Sequence, residues 1–276
     1  MCILITGATD GLGRALATDL AAAGATLLLH GRDDSRGEQA IEEIRARTGN
    51  ERLVWQRADL ASLQEVRELA ERVSSEHERL DVLVNNTGIG TTLPGGDRRM
   101  ESRDGYELRF AVNYLAGFLL TRMLQPLLVR SRPARIVNVS SAGQAPIDFD
   151  DVMLERSYDG VQAYCQSKLA QVMFTFELAE ELRDAGATAN CLHPGTFMPT
   201  KMVRAAGVEP VTPLERGVAA VRRLVDDPEL DGVTGRYFDG VREAQPHPQA
   251  HDPDARRRLR ELSEELSGLA PSDPVR

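Results

Sequence analysis

Short apolar runs alternate with longer amphipathic stretches along most of this chain, and that alternation constrains its fold more than any other feature. The early runs are almost wholly apolar, as is typical of parallel strands covered by helices on both faces. Strands that alternate with helices predict right-handed βαβ units, and therefore an α/β fold with a doubly wound, Rossmann-type parallel sheet. The predicted strands are Cys2–Thr6, Thr26–His30, Leu53–Arg57, Val82–Asn85, Arg135–Val139, Thr188–Leu192 and Arg236–Phe238.

Length and charge limit the domain organisation and the classes of partner that this chain can have. A chain of 276 residues with this pattern is expected to form a single domain over residues 1–239. The polar, proline-bearing residues 240–276 then form a C-terminal extension with a charged helical stretch at Asp254–Leu266. A net charge of −9 argues against a nucleic-acid partner. No stretch approaches about 20 apolar residues and no secretory signal is evident, so we expect no membrane span and a cytoplasmic location.

A glycine-rich turn follows the first strand directly and opens into a helical run. Glycines let the backbone approach a pyrophosphate closely, and the N-terminus of the following helix favours an anion. The plain alternative is a tight strand-to-helix turn with no ligand. The candidate phosphate-binding residues are Gly7, Thr9, Asp10, Gly11, Leu12 and Gly13.

The spacing of these glycines resembles the TGxxxGxG motif of the short-chain dehydrogenase/reductase family. The resemblance implies that Asp59 and Leu60, after the third strand, contact the adenine of a dinucleotide. It also implies that a loop after the sixth strand lies along the nicotinamide, and that Asn86, Thr87 and Gly88 match the family's NNAG turn, with Thr87 where alanine is usual. The residues of the nicotinamide loop are Pro194, Gly195, Thr196 and Thr200.

The end of the second strand bears on the choice of cofactor. An NAD-specific site carries an acidic residue there, but this chain has Gly31 followed by Arg32. A guanidinium pairs well with phosphate, so we expect NADP(H) as the preferred cofactor. NAD(H) is the alternative, because Asp33 would reach the ribose if the strand ended one residue later and Arg32 were then only a surface residue.

Tyr164 and Lys168 are the candidate catalytic pair. Four residues apart on a predicted helix, they share one face, and a nearby ammonium favours ionisation of a phenol whose ordinary pKa is about 10. Tyr164 is then the general acid or base for a carbonyl oxygen. Resemblance to the family adds Ser141 as the hydrogen-bond donor to that oxygen, with Ser140 as the alternative, and Asn113 as the fourth catalytic residue.

Several regions beyond the site carry expectations of their own. The helical patterns over 102–129 and 161–183 have apolar stripes that either form a homodimer interface or only cover the sheet. Residues 202–213 are a candidate lid over the substrate. His30 and His193 are expected to be structural, and the three cysteines have no metal-ligand spacing, so no metal is predicted.

Further segments resemble the retinol-dehydrogenase-like branch of the family. They are Arg135–Ser141, Ala163–Leu178, His193–Thr196, Thr234–Phe238 and Pro246–Ala250. The resemblance implies an NADP(H)-dependent oxidoreductase that interconverts a small apolar aldehyde or ketone and its alcohol. Two alternatives stay open. One is a non-redox lyase, epimerase or cyclase, for instance of secondary metabolism, that uses Tyr164 for proton transfer, and the other is a dinucleotide-sensing protein without chemistry.

Overall fold

The computed structural model describes residues 1–91 and 98–270, which form an eight-stranded sheet with helices on both faces. The strand order is β3-β2-β1-β4-β5-β6-β7-β8. The first seven strands are parallel and β8 pairs antiparallel with β7. The predicted doubly wound parallel sheet is therefore confirmed. The strands are β1 Cys2–Ile5, β2 Thr26–Gly31, β3 Leu53–Arg57, β4 Val82–Asn85, β5 Ala134–Val139, β6 Ala187–His193, β7 Tyr237–Asp239 and β8 Arg242–Glu243.

Eight α-helices are described around this sheet: α1 Gly11–Ala22, α2 Asp34–Thr48, α3 Leu63–Glu76, α4 Ala116–Arg130, α5 Gly160–Glu181, α6 Lys201–Ala205, α7 Leu214–Asp226 and α8 Pro253–Ser267. A π-helical segment, Phe110–Leu115, leads directly into α4. Short polar side chains fix where several helices begin. Ser62 caps α3 and Asp159 caps α5, each by accepting a hydrogen bond from a backbone N–H in the first turn.

Side chains that alternate along the central strands build two apolar layers. In β1, Ile3 and Ile5 pack with the helices α1 and α7, whereas Leu4 packs with α3, α4 and α5 on the opposite face. All three are fully buried. Successive residues of a strand point to opposite faces, so a strand buried on both sides must be apolar throughout. This explains the unbroken apolar runs in the sequence.

The predicted helix over 102–129 starts later than expected. Residues 102–107 form a turn closed by the isolated bridge between Glu101 and Glu107, and helical structure begins near Phe110. Asp104 in this turn accepts a hydrogen bond from Leu63 N, at 3.0 Å, so its side chain serves the start of α3. The helical pattern therefore extended through a loop that caps a neighbouring helix.

The helical stretch Phe110–Arg130 also changes one expectation from the sequence. By length and composition it could cross a membrane, although about 67% of it is buried inside the protein. One stretch is therefore long and apolar enough to be a candidate membrane span, contrary to expectation, and the absence of a membrane span stays a prediction. The helix lies between α3 and α5, where an apolar surface on most sides is what a core position requires.

The C-terminal extension folds back onto α5 and the π-helical segment. Tyr114 Oη lies 2.7 Å from Ser263 Oγ, and Arg256 of α8 pairs with Glu180 of α5 at 2.7 Å. Leu259 is buried at this contact. The apolar stripes of α4 and α5 thus pack within the chain, against the sheet and α8, and a homodimer through these helices stays a prediction.

Candidate active site

The carboxyl ends of the central strands open into one elongated cavity of about 610 Å³. The glycine-rich turn after β1 lines one part of it, and Tyr164 and Lys168 of α5 line another. Loops that follow β4, β5 and β6 complete the walls. This is the edge at which doubly wound sheets bind their ligands, and the topology brings most of the predicted site residues together here.

The glycine-rich turn leaves no room for side chains. A Cβ on Gly13 would lie 2.2 Å from the carbonyl oxygen of Gly7, and Gly7 itself has φ +69°. Asn86 holds the turn from β4, because its Nδ2 donates to Thr6 O at 2.8 Å. His30 also holds it, since its Nδ1 accepts from Gly7 N at 3.2 Å. The backbone is thus fixed at the N-terminus of α1, an arrangement that fits the pyrophosphate of a dinucleotide.

Two cations that sequence reasoning missed lie beside this turn. Arg36 of α2 and Lys201 of α6 pair with the Asp10 carboxylate at 3.2 Å and 2.8 Å. Burial raises the pKa of Asp10, but the hydrogen bonds from Lys201 and Gly11 N outweigh that effect, and its pKa is lowered. Because both cations approach from elements distant in sequence, only the fold could have identified them.

The side chains packed around the end of β2 leave space only for glycine at position 31. A Cβ on Gly31 would lie 2.7 Å from the Trp55 ring and 2.8 Å from the methyl of Thr9. The strand ends at Gly31, one residue later than predicted, and Arg32 follows it with its side chain exposed. Asp33 caps α2, where its carboxylate accepts from Arg36 N at 3.0 Å. Although the strand ends where the NAD(H) alternative requires, the Asp33 carboxylate is engaged in this cap, and Gly31 at the strand tip has no space for an acidic side chain.

Four predicted cofactor residues, Thr9, Arg32, Asp59 and Leu60, do not line the cavity itself. Asp59 turns toward its own loop, because its Oδ1 accepts from Ala61 N at 3.1 Å. Leu60 is buried in the core. Arg32 follows β2, and Asp59 and Leu60 follow β3. Thr9 lies beside the end of β2. All four lie outside the described cavity walls.

Thr87 fits within the turn after β4 despite the extra atoms it has relative to alanine. Its Oγ1 would lie 3.0 Å from a Cβ on Gly7. That hydroxyl is buried and has no hydrogen-bond partner within residues 1–91 and 98–270. Asn86, Thr87 and Gly88 all line the cavity, so the turn forms the wall between the phosphate end and the catalytic helix.

Tyr164 and Lys168 lie on one face of α5, as predicted. The Lys168 Nζ is 5.9 Å from the centre of the Tyr164 ring and donates to Val139 O and Gln171 Oε1, each at 2.9 Å. Burial raises the pKa of Tyr164, and the hydrogen bond with the Ser141 hydroxyl offsets only part of that rise. Burial lowers the pKa of Lys168 to about 7. In this structure burial, not the ammonium, is thus the main influence on the phenol.

The two serines at the end of β5 have different surroundings. Ser140 Oγ donates to the carbonyl oxygen of Lys168 at 2.8 Å, which ties β5 to α5. Ser141 Oγ accepts from Gly143 N at 3.1 Å and neighbours the Tyr164 phenol. Of the two hydroxyls, that of Ser141 is therefore the one beside the phenol, where a carbonyl oxygen would be held.

Asn113 lies behind the cavity, in the π-helical segment. Its side chain binds both backbone groups of Ile89, accepting from N at 2.7 Å and donating to O at 3.1 Å. It also donates to Ser167 Oγ at 3.0 Å. These contacts are distant in sequence, unlike the local hydrogen bond of an ordinary helical asparagine. π-helical turns are frequent at functional sites, and this one brings Asn113 beside Gly88 and α5.

The loop after β6 forms the remaining wall. Pro194, Gly195, Thr196 and Thr200 line the cavity, and Thr200 caps α6. The methyl of Thr200 would lie 3.1 Å from a Cβ on Gly11, so the loop reaches the phosphate turn. The predicted lid includes all but the first residue of the short helix α6 and contributes apolar lining from Met202, Val203, Ala206 and Val208.

The two histidines have different positions. His30 is buried, with Nδ1 toward Gly7 and Nε2 toward Ala58 O at 3.1 Å, and burial lowers its pKa to about 4. His193 lines the cavity with Nε2 at 3.1 Å from Thr196 Oγ1, and burial lowers its pKa as well. A neutral His30 therefore links the glycine-rich turn to the end of β3.

A glycine-rich turn that opens into the same cavity as a tyrosine, a lysine and a serine is the arrangement expected of a dinucleotide-dependent oxidoreductase of the Rossmann class. The sequence model of the short chain dehydrogenase family matches residues 1–209. The chain belongs to the short-chain dehydrogenase/reductase family, in its retinol-dehydrogenase-like branch.

Relatives of known name agree with this placement. The chain is 40% identical to mouse retinol dehydrogenase 13 over 286 residues, which cover 97% of this chain and 84% of that protein. It is 39% identical to human retinol dehydrogenase 14, over 97% and 86% of the two chains.

Solved structures give the same fold. An uncharacterized protein from Mycobacterium paratuberculosis superposes with a TM-score of 0.75 at 30% identity, over 97% of this chain and 93% of that one. A short chain dehydrogenase from Escherichia coli CFT073, solved with NADPH, has a TM-score of 0.70 at 29% identity, over 87% and 95%.

Proposed function

We propose that this chain is an NADP(H)-dependent oxidoreductase that interconverts a small apolar aldehyde or ketone and its alcohol by hydride transfer. The observation that carries the proposal is the single cavity that joins the glycine-rich turn to Tyr164, Lys168 and Ser141. One part of that cavity suits the phosphates of a dinucleotide. The other gathers the groups that a carbonyl reduction needs.

Each catalytic residue has a role that follows from its surroundings. A bound nicotinamide supplies or accepts the hydride. Ser141 donates a hydrogen bond that orients the carbonyl oxygen, and Tyr164 donates its phenolic proton to that oxygen or removes it in the reverse direction. Lys168, in its protonated form, stabilises the phenolate that proton transfer leaves behind. Asn113 fixes Ile89 and Ser167, which border Gly88 and the start of the catalytic helix.

Support for NADP(H) comes from the charges around the phosphate turn. Gly31 cannot hold the carboxylate that would repel a 2′-phosphate, because Trp55 and Thr9 fill the space. Arg32 is exposed directly after it, and Arg36 and Lys201 flank the turn. The relative from Escherichia coli CFT073 was solved with NADPH. A guanidinium pairs with a phosphate more strongly than neutral donors do.

The apolar lining of the cavity that contains Tyr164 supports an apolar substrate. Beside the glycine-rich turn, the cavity is lined by several apolar side chains from α5, the nicotinamide loop and the lid: Val161, Phe197, Met202, Val203 and Val208. A pocket lined by apolar groups with a few polar groups at one end binds an apolar ligand and orients its reactive atom. The relatives are named retinol dehydrogenases, and retinol is an apolar compound of this kind.

The test is direct. The purified chain is mixed with NADPH or NADH and a panel of apolar aldehydes and ketones, while the nicotinamide absorbance is followed. We expect oxidation of NADPH by several apolar carbonyls, and slower reaction with NADH. Tight binding of NADPH, with no oxidation of NADPH by any carbonyl and no reduction of NADP+ by any alcohol in the reverse assay, would instead favour a non-redox enzyme or a sensor.

A further inference from the structure

A charged side chain outside the catalytic set, Arg109, is completely enclosed next to the active site. It directly precedes the π-helical segment, and 1% of its side chain is exposed. A buried guanidinium is costly unless its donors are bonded. Glu107, also fully buried, lies 3.6 Å away and provides the opposite charge.

The donors of Arg109 converge on one short stretch of the cavity wall, residues 89–91, which we term the wall segment. Nε donates to Gly90 O at 2.9 Å and Nη2 donates to Thr91 O at 2.5 Å. Asn113, four residues later and thus on the same helical face, binds both backbone groups of Ile89. Two side chains of one helix therefore fix all three residues of the wall segment.

The same guanidinium also reaches the catalytic helix. Nη1 donates to the hydroxyl of Tyr158, which in turn donates to Glu107 Oε1 at 3.1 Å. Gly160, the first residue of α5, packs so closely that a Cβ there would lie 3.0 Å from Thr91 O and 3.3 Å from Arg109 Nη2. Tyr164 is about one helical turn further along α5. Arg109 thus joins the wall segment to the start of the helix that presents the phenol.

The position of the wall segment bears on the substrate space. Gly90 and Thr91 line the cavity, and a Cβ on Gly90 would lie 2.6 Å from Met202 of the lid. The phosphate turn is held independently, by Asn86 and His30. A shift of the wall segment would therefore change the cavity space between the start of α5 and the lid, whereas the contacts of Asn86 and His30 with the phosphate turn would remain.

We propose that Arg109 is a positioning residue that sets the distance between the wall segment and Tyr164, and so the fit of the carbonyl substrate. The inference rests on the proposed function. It adds that the substrate end of the cavity is held by a buried ion pair outside the catalytic set.

The test replaces Arg109 by lysine, which keeps the charge but loses the fork that reaches two carbonyls and a hydroxyl together. Arg122→Lys is the matched control, because Arg122 is a nearly buried arginine that continues the same helical stretch and pairs with Glu181. We expect kcat/KM for the carbonyl to fall at least about tenfold in Arg109→Lys, with the Kd for NADPH within about twofold of wild type. Arg122→Lys should leave both nearly unchanged.

A second measurement is independent of turnover. Amide hydrogen exchange of a peptide covering residues 86–91 should be faster in Arg109→Lys than in wild type and unchanged in Arg122→Lys. If Arg109→Lys does not fold, Tyr158→Phe, which removes only the bridging hydroxyl, is judged by the same two readouts.

The inference is overturned if exchange and kcat/KM match those of Arg122→Lys, or if NADPH binding weakens in step with kcat/KM. A wild-type chain that turns over no carbonyl contradicts the proposed function instead, and the exchange measurement still decides the role of Arg109.

Discussion

Replacing Lys168 by methionine should change how the stability of the protein depends on pH. Burial lowers the pKa of Lys168 from 10.5 to about 7. Between these values the unfolded chain binds a proton that the folded chain does not, so the free energy of unfolding rises with pH across this interval. Below about pH 7 both states are protonated, and the slope from this residue vanishes.

The magnitude follows from the same pKa values. Each pH unit inside the interval adds at most about 1.4 kcal/mol, hence about 2 kcal/mol between roughly pH 7.5 and 9. For a chain of this size that amounts to a rise in Tm of about 4 °C. Methionine leaves Val139 O and Gln171 Oε1 without their donor, but that cost is independent of pH and drops out of the slope.

The assay is thermal and urea unfolding of wild type and Lys168→Met, without added cofactor, at several pH values in this interval. Lys201→Met is the control, since it removes an exposed lysine at the start of α6 and should keep the wild-type slope. Cysteines and tyrosines that titrate at high pH are common to all three proteins. Equal slopes in wild type and Lys168→Met would show that the lysine is not charged differently in the folded and unfolded chains, and would refute the reasoning.

Three further predictions concern the cofactor and the core. Arg32→Ala should weaken NADPH binding about tenfold to a hundredfold, the loss of a charged hydrogen bond, with little effect on NADH in a fluorescence titration; equal losses for both cofactors would contradict the NADP(H) preference. Gly13→Ala should abolish measurable NADPH binding, since its Cβ would meet Gly7 O at 2.2 Å, whereas Gly117→Ala, with ordinary contacts from 3.6 Å, should bind normally; similar binding by both would contradict the role of the close turn. Glu181→Gln should lower the free energy of unfolding by about 3 kcal/mol, because it leaves the nearly buried Arg122 unpaired; a loss below about 1 kcal/mol in urea unfolding would contradict the burial of that pair.

The sheet was predictable from the sequence because burial on both faces demands apolar residues at successive positions. Ile3, Leu4 and Ile5 serve two different layers, so the run itself identifies the strand. The glycine-rich turn and the spacing of Tyr164 and Lys168 were readable for a similar reason, since each is a local pattern of a few residues.

Other features depend on contacts between distant residues and left no local pattern. Arg36 and Lys201 meet at Asp10 from two different helices, and Arg109 gains its role from carbonyls about 19 residues earlier. The local sequence predicts a helix over 102–107, because the partner of this turn, Leu63, lies in another element and leaves no local pattern. The low pKa of Lys168 likewise comes from burial, which requires the tertiary structure.

The measurement that tests the central claim most directly is the kinetics of Tyr164→Phe. The structure places the Tyr164 phenol beside Ser141, and removing its hydroxyl leaves the ring, the helix and the phosphate turn in place. We expect a folded protein that binds NADPH with wild-type affinity and loses at least about a hundredfold in kcat, as the loss of a general acid implies. A variant that binds NADPH and reduces the carbonyl at the wild-type rate would contradict the assignment of Tyr164 as the proton donor.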